Sequence, residues 1–192
     1  MQPAKVSSRR IIDKKAYKLP FFVDLQAGEL TVPKWGYSPT GLDPDKTVKA
    51  SGRELRISHK AAREVCNTIK EMGLDQAKDF LQQVILKRQP VPFRRFKKKA
   101  GHRRGLQKAY AGRYPVKAAQ KVLEILEGAE SNAEFQGLDV ERLRILHASA
   151  YPGMKIRRMI PRAFGRSSPR FQTLCHVEVV LEEKREKEAE VT

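Results

Sequence analysis

The sequence predicts an α+β fold: three helices packed on one face of a small antiparallel sheet, with a long protruding β-hairpin and a basic loop insertion. Three observations predict it. Apolar residues recur at helical spacing in three segments between residues 58 and 137. Apolar and polar residues alternate with a period of two in a pair of arms either side of Gly165. Two long windows hold cations but no acid, and the outer part of the arms around Gly165 is nearly all Arg, Pro, Gly and Ser, so it cannot bury itself in a core of its own.

Residues 1–36 are irregular, broken by Pro20, Gly28, Pro33, Trp35 and Gly36, with LPFFVDL (19–25) as a short strand or apolar anchor. YSPTGLDPDK (37–46) is rich in turn residues and marks a boundary. A strand is expected near 53–57, where Leu55 and Ile57 flank Arg56. Ser58 then reads as the N-cap of a first helix carrying Ala61, Ala62, Val65, Ile69 and Met72 on one face. Lys60, Arg63, Glu64 and Lys70 point elsewhere, and Gly73 reads as the residue that stops this helix. Asp75 caps a second helix with Ala77, Phe80, Leu81, Val84 and Ile85 inward. Residues 88–114 have no apolar period; Phe93, Phe96, Tyr110 and Tyr114 are interleaved with cations. Pro115 occupies the first position of a third helix with Val116, Ala119, Val122, Leu123, Leu126 and Ala129 on its stripe, and Gly137 follows its end.

Residues 141–150 read as a strand leading into a hairpin over 151–182. On its outgoing arm Met154, Ile156, Arg158 and Ile160 share a face opposite Lys155, Arg157 and Met159; on the return arm Phe171, Thr173, Cys175, Val177, Val179 and Leu181 share one. Gly165, Ser167, Ser168 and Pro169 put the turn near 164–168. The organisation expected is an extension over 1–46, a domain over 47–185 and a charged tail over 186–192.

The charge is segregated. The chain of 192 residues has 39 Lys and Arg against 22 Asp and Glu, a net charge of +17. Residues 80–123 contain 13 cations and residues 142–177 contain eight, with no acid in either window. The rest of the chain is slightly acidic, so the basicity is local and points to a polyanion. In the first window, cations for phosphates and rings or guanidinium planes for unstacked bases fit RNA. The expected RNA contacts are Lys87, Arg88, Arg94, Arg95, Lys97, Lys98, Lys99, His102, Arg103, Arg104, Lys108, Arg113 and Lys117 around the loop. On the hairpin they are Lys155, Arg157, Arg158, Arg162, Arg166 and Arg170. Arg53, Arg56, Lys60 and Arg63 serve either as a solvated face or as further contacts and are counted with them.

Other chemistries are disfavoured. Cys66, Cys175, His59, His102, His147 and His176 show no metal-ligand spacing, so no metal or other cofactor is expected. Adjacent Cys175 and His176 point to opposite faces of a strand and do not make a nucleophile–base pair. GHRRG (101–105) lacks the length and Lys-Ser/Thr ending of a P-loop. Acid-free windows argue against a Mg²⁺-dependent nuclease or transferase, and no enzyme is expected. The cysteines read as two reduced, partly buried thiols. The apolar runs are too short for a transmembrane helix, and the first residues lack a signal peptide's apolar stretch, so a cytoplasmic protein without a membrane partner is expected. A general DNA-binding or chromatin protein is the alternative, since duplex DNA offers the same phosphates.

SGRELRISHKAAREV, AESNAEFQGLDVERLRILHASAYPG, KIRRMIPRAFGRSSPRF and CHVEVVLEEK, in that order, resemble the family of the large-subunit ribosomal protein numbered twenty-two in the universal scheme. The resemblance covers about residues 47–185. VPFRRFKKKAGHRRG followed by GRYPVKAA is similar to an insertion found in archaeal and eukaryotic members and absent from bacterial ones, and the first 36 residues favour an archaeal origin. The resemblance implies a body at the surface of the large ribosomal subunit near the exit of the nascent-chain tunnel, and a hairpin reaching inward through rRNA. It implies a tunnel-wall tip at Arg162, Ala163, Phe164, Gly165, Arg166 and Ser167. Large-subunit rRNA, neighbouring ribosomal proteins and the passing nascent polypeptide are the implied partners, and support of subunit assembly is an implied role.

Overall fold

The computed structural model describes residues 36–184, apart from 107 and 108. The expectations for residues 1–35 (including LPFFVDL), for Lys108 and for the charged tail lie outside the described residues. The chain divides into two units at Ser38 and Pro39, and every element below belongs to the second. In order these are β1 (Thr47–Leu55), α1 (His59–Ile69), α2 (Leu74–Ile85), β2 (Val91–Pro92), β3 (Gly112–Arg113) and α3 (Val116–Gln136). A single 3-10 turn (Val140–Arg142) leads to β4 (Leu143–Ile156), β5 (Met159–Pro161), β6 (Ser167–Pro169) and β7 (Gln172–Glu183). The central sheet is antiparallel with order β1-β7-β4, as an α+β fold requires.

The central strand carries the strongest pattern. Cys175, Val177, Val179 and Leu181 of β7 alternate into one core with Val48 and Ala50 of β1 and Leu143, Ile145 and Ala148 of β4. The helices close that core. From α1 come Ala62, Val65, Cys66 and Ile69; from α2, Leu74, Ala77, Phe80, Leu81 and Val84; from α3, Ala118, Ala119, Val122, Leu126, Ala129 and Ala133. Small residues along α3 let it lie close to the sheet. At Gly52 a β-carbon would stand 2.6 Å from Ile125 Cδ1, so any larger residue there would have to push the Ile125 side chain aside. Gly137 ends α3 in the left-handed conformation (φ 75°) and donates its N–H to the carbonyls of Ala133 and Glu134.

Several local expectations are corrected. The first strand runs Thr47–Leu55, with Val48 and Ala50 as its buried positions, and Ile57 lies beyond it. A register shift between Gly52 and Leu55, with Glu54 at φ 50°, breaks the alternation in the stretch expected to be the strand. Gly73 does not stop α1; it is the extended N-cap of α2, and Lys70 ends α1. Asp75 therefore lies in the first turn of α2, where its charge favours the helix N-terminus without capping it. Pro115 is the N-cap of α3, not its first residue. Val116 and Leu123 are half-buried, and Ala118 and Ala133 complete the stripe. Both cysteines are fully buried rather than partly so, at 1% and 0% exposure.

The strand before the hairpin and the hairpin's outgoing arm are one element. β4 pairs with β7 from Leu143 opposite Glu183 to Ile156 opposite Gln172, with register shifts between Ile145 and His147 and between Pro152 and Lys155. The ribbon then continues as β5 against β6. From Ala150 to Pro161 the outgoing arm spans about 35 Å at ~3.3 Å per residue. Its turn spans 162–166, two residues earlier than expected. Arg162 donates its N–H to the Arg166 carbonyl at 2.8 Å, and Arg166 to Ala163 at 3.3 Å. Phe164 and Gly165 both take positive φ (56° and 65°), while Ser167 and Ser168 pair in β6.

Candidate nucleic-acid interface

Two protrusions carry the expected contacts. On the hairpin, Lys155, Arg157, Arg158, Arg162, Arg166 and Arg170 are all exposed, strung along a two-stranded ribbon without a core. Met154, Met159 and Phe171 are more than half exposed there, and Phe164 at the tip is 96% exposed. A ribbon this thin can meet phosphates on either side at once.

The second protrusion, residues 88–114, is more ordered than a solvated loop. Val91, Phe93 and Ala111 are buried, β2 pairs with β3, and His102 bridges to Ala111. Its anchor is Glu64 of α1, which the helical pattern places away from the body's interior but which is 3% exposed. Its carboxylate accepts the backbone N–H of Arg94 at 3.1 Å, of Arg95 at 3.0 Å and of Phe96 at 3.1 Å. The carboxylate thus holds loop backbone and leaves the cationic side chains of Arg94 and Arg95 outside. Arg113 adds a second tie: its guanidinium donates to the Lys99 carbonyl at 2.8 Å and lies 5.6 Å from the centre of the Phe93 ring.

The four aromatic residues therefore divide. Phe93, 4% exposed, packs the loop onto the core and offers no face to a base. Tyr110 is 55% exposed, with Lys97 Nζ 5.5 Å and the His102 ring 5.2 Å from its ring centre. Phe96 is half-buried, with Lys60, Arg63 and Arg95 each within 6 Å. Tyr114 is half-buried beneath the Arg103 guanidinium at 5.4 Å.

The remaining expected contacts are placed singly. Arg53 is exposed near the end of β1, Arg56 between β1 and α1, Lys87 and Arg88 just beyond α2, and Lys117 in the first turn of α3. On the loop, Arg94, Arg95, Lys97, Lys98, Lys99, Arg103 and Arg104 are exposed; on α1, Lys60 is exposed and Arg63 half-buried. Carboxylates in the body pair with Lys46, Lys78, Lys121, Arg142 and Arg144, five cations outside the expected RNA-contact set.

The surroundings of the cysteines disfavour nucleophilic chemistry. Burial pushes the Cys66 thiol up to about 12, helped by the neighbouring Cys175, and burial pushes Cys175 up to about 11. Both stay protonated at neutral pH, which removes the thiolate that nucleophilic attack requires. His147 is pushed down from its ordinary value by desolvation and by Lys70. Among the described residues, no group of three or more His, Cys, Asp or Glu could hold a metal ion, and no helix is long and apolar enough to cross a membrane.

Comparison with known proteins adds an independent line. A family profile described as ribosomal protein L22p/L17e matches residues 50–182. The large ribosomal subunit protein uL22 of Methanopyrus kandleri is 53% identical over 153 residues, covering 78% of this chain and 96% of the relative. That of Methanocaldococcus jannaschii is 53% identical over 142 residues, covering 74% and 91%. That of Archaeoglobus fulgidus is 50% identical over 148 residues, covering 77% and 94%.

Proposed function

Because the chain belongs to the ribosomal protein L22p/L17e family in its archaeal form, we propose that it is a structural constituent of the cytoplasmic large ribosomal subunit that grips rRNA with its loop and hairpin. The body, built on an ordinary apolar core, fixes the base of both protrusions. Their exposed cations supply phosphate contacts, which set position and register, while the shape of the folded RNA supplies selectivity. Other proteins of the subunit complete its surroundings. In this reading the domain spans 47–185, with the insertion at 88–114 and the hairpin at 151–182, flanked by an extension and a short charged tail.

The hairpin tip, Arg162 to Ser167, stands against the wall of the nascent-chain tunnel, where the exposed Phe164 ring and two flanking arginines meet RNA or passing peptide. The protein performs no chemistry; it positions RNA. One observation carries the reading: two cation-rich protrusions are anchored on the body by apolar and hydrogen-bonded contacts, yet leave their cations exposed with no acid beside them in sequence. Sedimentation of cell lysate at moderate salt tests it. Cofractionation with the large subunit, abolished by RNase, is the expected result. A free protein, or a complex sensitive to DNase instead, overturns it in favour of chromatin binding.

A further inference from the structure

We propose that the cleft where the basic loop meets the starts of α1 and α3 receives one unpaired nucleotide of the bound RNA. The proposal rests on the rRNA-binding reading above and names a site within it. The cleft has a volume of about 610 Å³ and is open on one side. That is within the range of ~300–1,000 Å³ typical of small-ligand sites and far too small for a duplex. Lys60, Arg95, Lys98 and Arg113 line it, and no acid does. Phe96 and Tyr114 supply rings within the same lining.

The site is built in advance. Through its three backbone bonds Glu64 fixes the segment that carries Arg95 and Phe96. Arg113 is held by Lys99 and Phe93 on the opposite strand of the loop. Beside Phe96, Arg63 lies 5.8 Å from the ring centre, and its buried Nη1 has no hydrogen-bond partner among the described residues. Ser58 stands at the α1 N-cap without making a side-chain capping bond, and no acid occupies the first turn. Both add positive potential, against one carboxylate, Glu64, that stands behind this wall of the cleft.

A bare phosphate would use the cations and leave the rings idle. A nucleotide uses both: its phosphate meets Lys60 and Lys98 at the rim, and its base lies against Phe96, Tyr114 or the Arg95 guanidinium. Only an unpaired nucleotide can enter, because a paired base has its faces covered by the stack. Neither ring is fully exposed, which suits one base entering edge-first and does not suit a run of stacked bases.

The test uses the full chain assembled in the large subunit and irradiated at 254 nm, with cross-linked peptides mapped by mass spectrometry. Phe96→Leu and Lys98→Gln are measured alongside for binding to protein-free large-subunit rRNA. A single nucleotide joined to a peptide of residues 93–98 or 113–115 is expected. Phe96→Leu, which keeps apolar bulk, should weaken binding about 5- to 150-fold without changing its salt dependence. Lys98→Gln should lower the salt slope by about one phosphate's worth. Cross-links along the hairpin but none in the cleft, with Phe96→Leu binding like the parent, overturn the proposal and leave the rRNA reading intact. A cleft peptide cross-linked instead to a neighbouring protein overturns it in favour of a protein partner. No cofractionation and no cross-links anywhere overturn both.

Discussion

Removing the Glu64 carboxylate isolates the contact that joins the insertion to the body. Glu64→Ala orphans three partly buried N–H donors, those of Arg94, Arg95 and Phe96. An orphaned buried donor costs roughly 1–3 kcal/mol, and water can reach this surface segment, so the lower figure applies to each; the sum is about 3 kcal/mol. Alanine is the better helix former, so α1 itself gains slightly and cannot account for a loss. For a domain of this size the melting temperature should fall by about 6–12 °C. Glu64→Gln keeps Oε1, which accepts from Arg95 and Phe96, but sets an amide NH₂ against the Arg94 N–H. It should cost about 1–2 kcal/mol, between parent and alanine variant. Thermal melts rank the three proteins, and amide hydrogen exchange locates the effect. The alanine variant should exchange at Arg94, Arg95 and Phe96 more than about tenfold faster than the parent, the factor that a loss of ~1.4 kcal/mol produces. A melt within a degree of the parent with unchanged exchange at those amides would refute the assignment of Glu64 as the loop's anchor.

Three other expectations follow from the same geometry. Deleting residues 161–170 and joining Ile160 to Phe171 should leave helical circular dichroism intact and shift the melt by no more than about 0.5 kcal/mol of stability, because those side chains sit outside the core; global unfolding would make the hairpin a core element. Both thiols titrate near 9 when unfolded and higher when folded, so their contribution is complete below pH 9 and is lost as pH climbs toward 11 and 12. Urea melts between about pH 8 and 10.5 should therefore show an alkaline loss that a Cys66→Ala, Cys175→Ala variant lacks, and an identical slope in the two proteins would contradict it. At the neck of the hairpin, a β-carbon at Gly153 would stand 2.6 Å from His176 Nε2, while His176 Nδ1 accepts the Glu54 N–H at 3.1 Å. Gly153→Ala should cost about 1 kcal/mol by displacing the imidazole, and less in a His176→Ala background; strictly additive losses would show that the two residues do not meet.

What the sequence discloses depends on how local the cause is. The stripes of α1, α2 and α3 are legible because Val65 and Ile69, Leu81 and Val84, and Val122 and Leu126 repeat at the helical period within one element. The return arm is legible because Cys175, Val177, Val179 and Leu181 keep strict alternation on a central strand. The start of β1 is not, because the shift between Gly52 and Leu55 makes the alternating stretch irregular and leaves Val48 and Ala50 to carry the strand. The tip is displaced by two residues because Gly165, Ser167, Ser168 and Pro169 draw the expected turn forward, whereas Phe164 itself takes a positive φ that composition assigns to glycine. Glu64 is the plainest omission. A glutamate at the edge of an apolar stripe reads as solvated, and its partners lie 30 to 32 residues away. The one available signal is that residues 80–123 contain no acid, so any carboxylate binding that segment has to come from elsewhere. Phe93 is hidden for a related reason: among the cations it resembles Phe96, and only the fold separates the buried ring from the half-buried one.

The central claim is that the hairpin's cations grip rRNA phosphates, and its salt dependence tests this most directly. Replacing Arg157, Arg158, Arg162, Arg166 and Arg170 with glutamine leaves the core untouched, since all five are exposed. Binding of parent and variant to protein-free large-subunit rRNA should be measured across a series of salt concentrations. Each neutralised phosphate contributes about 0.7–0.9 to the slope of log affinity against log salt, so the variant's slope should be shallower by about 4. Equal slopes in parent and variant would contradict the account, because those five arginines would then carry no phosphate contacts.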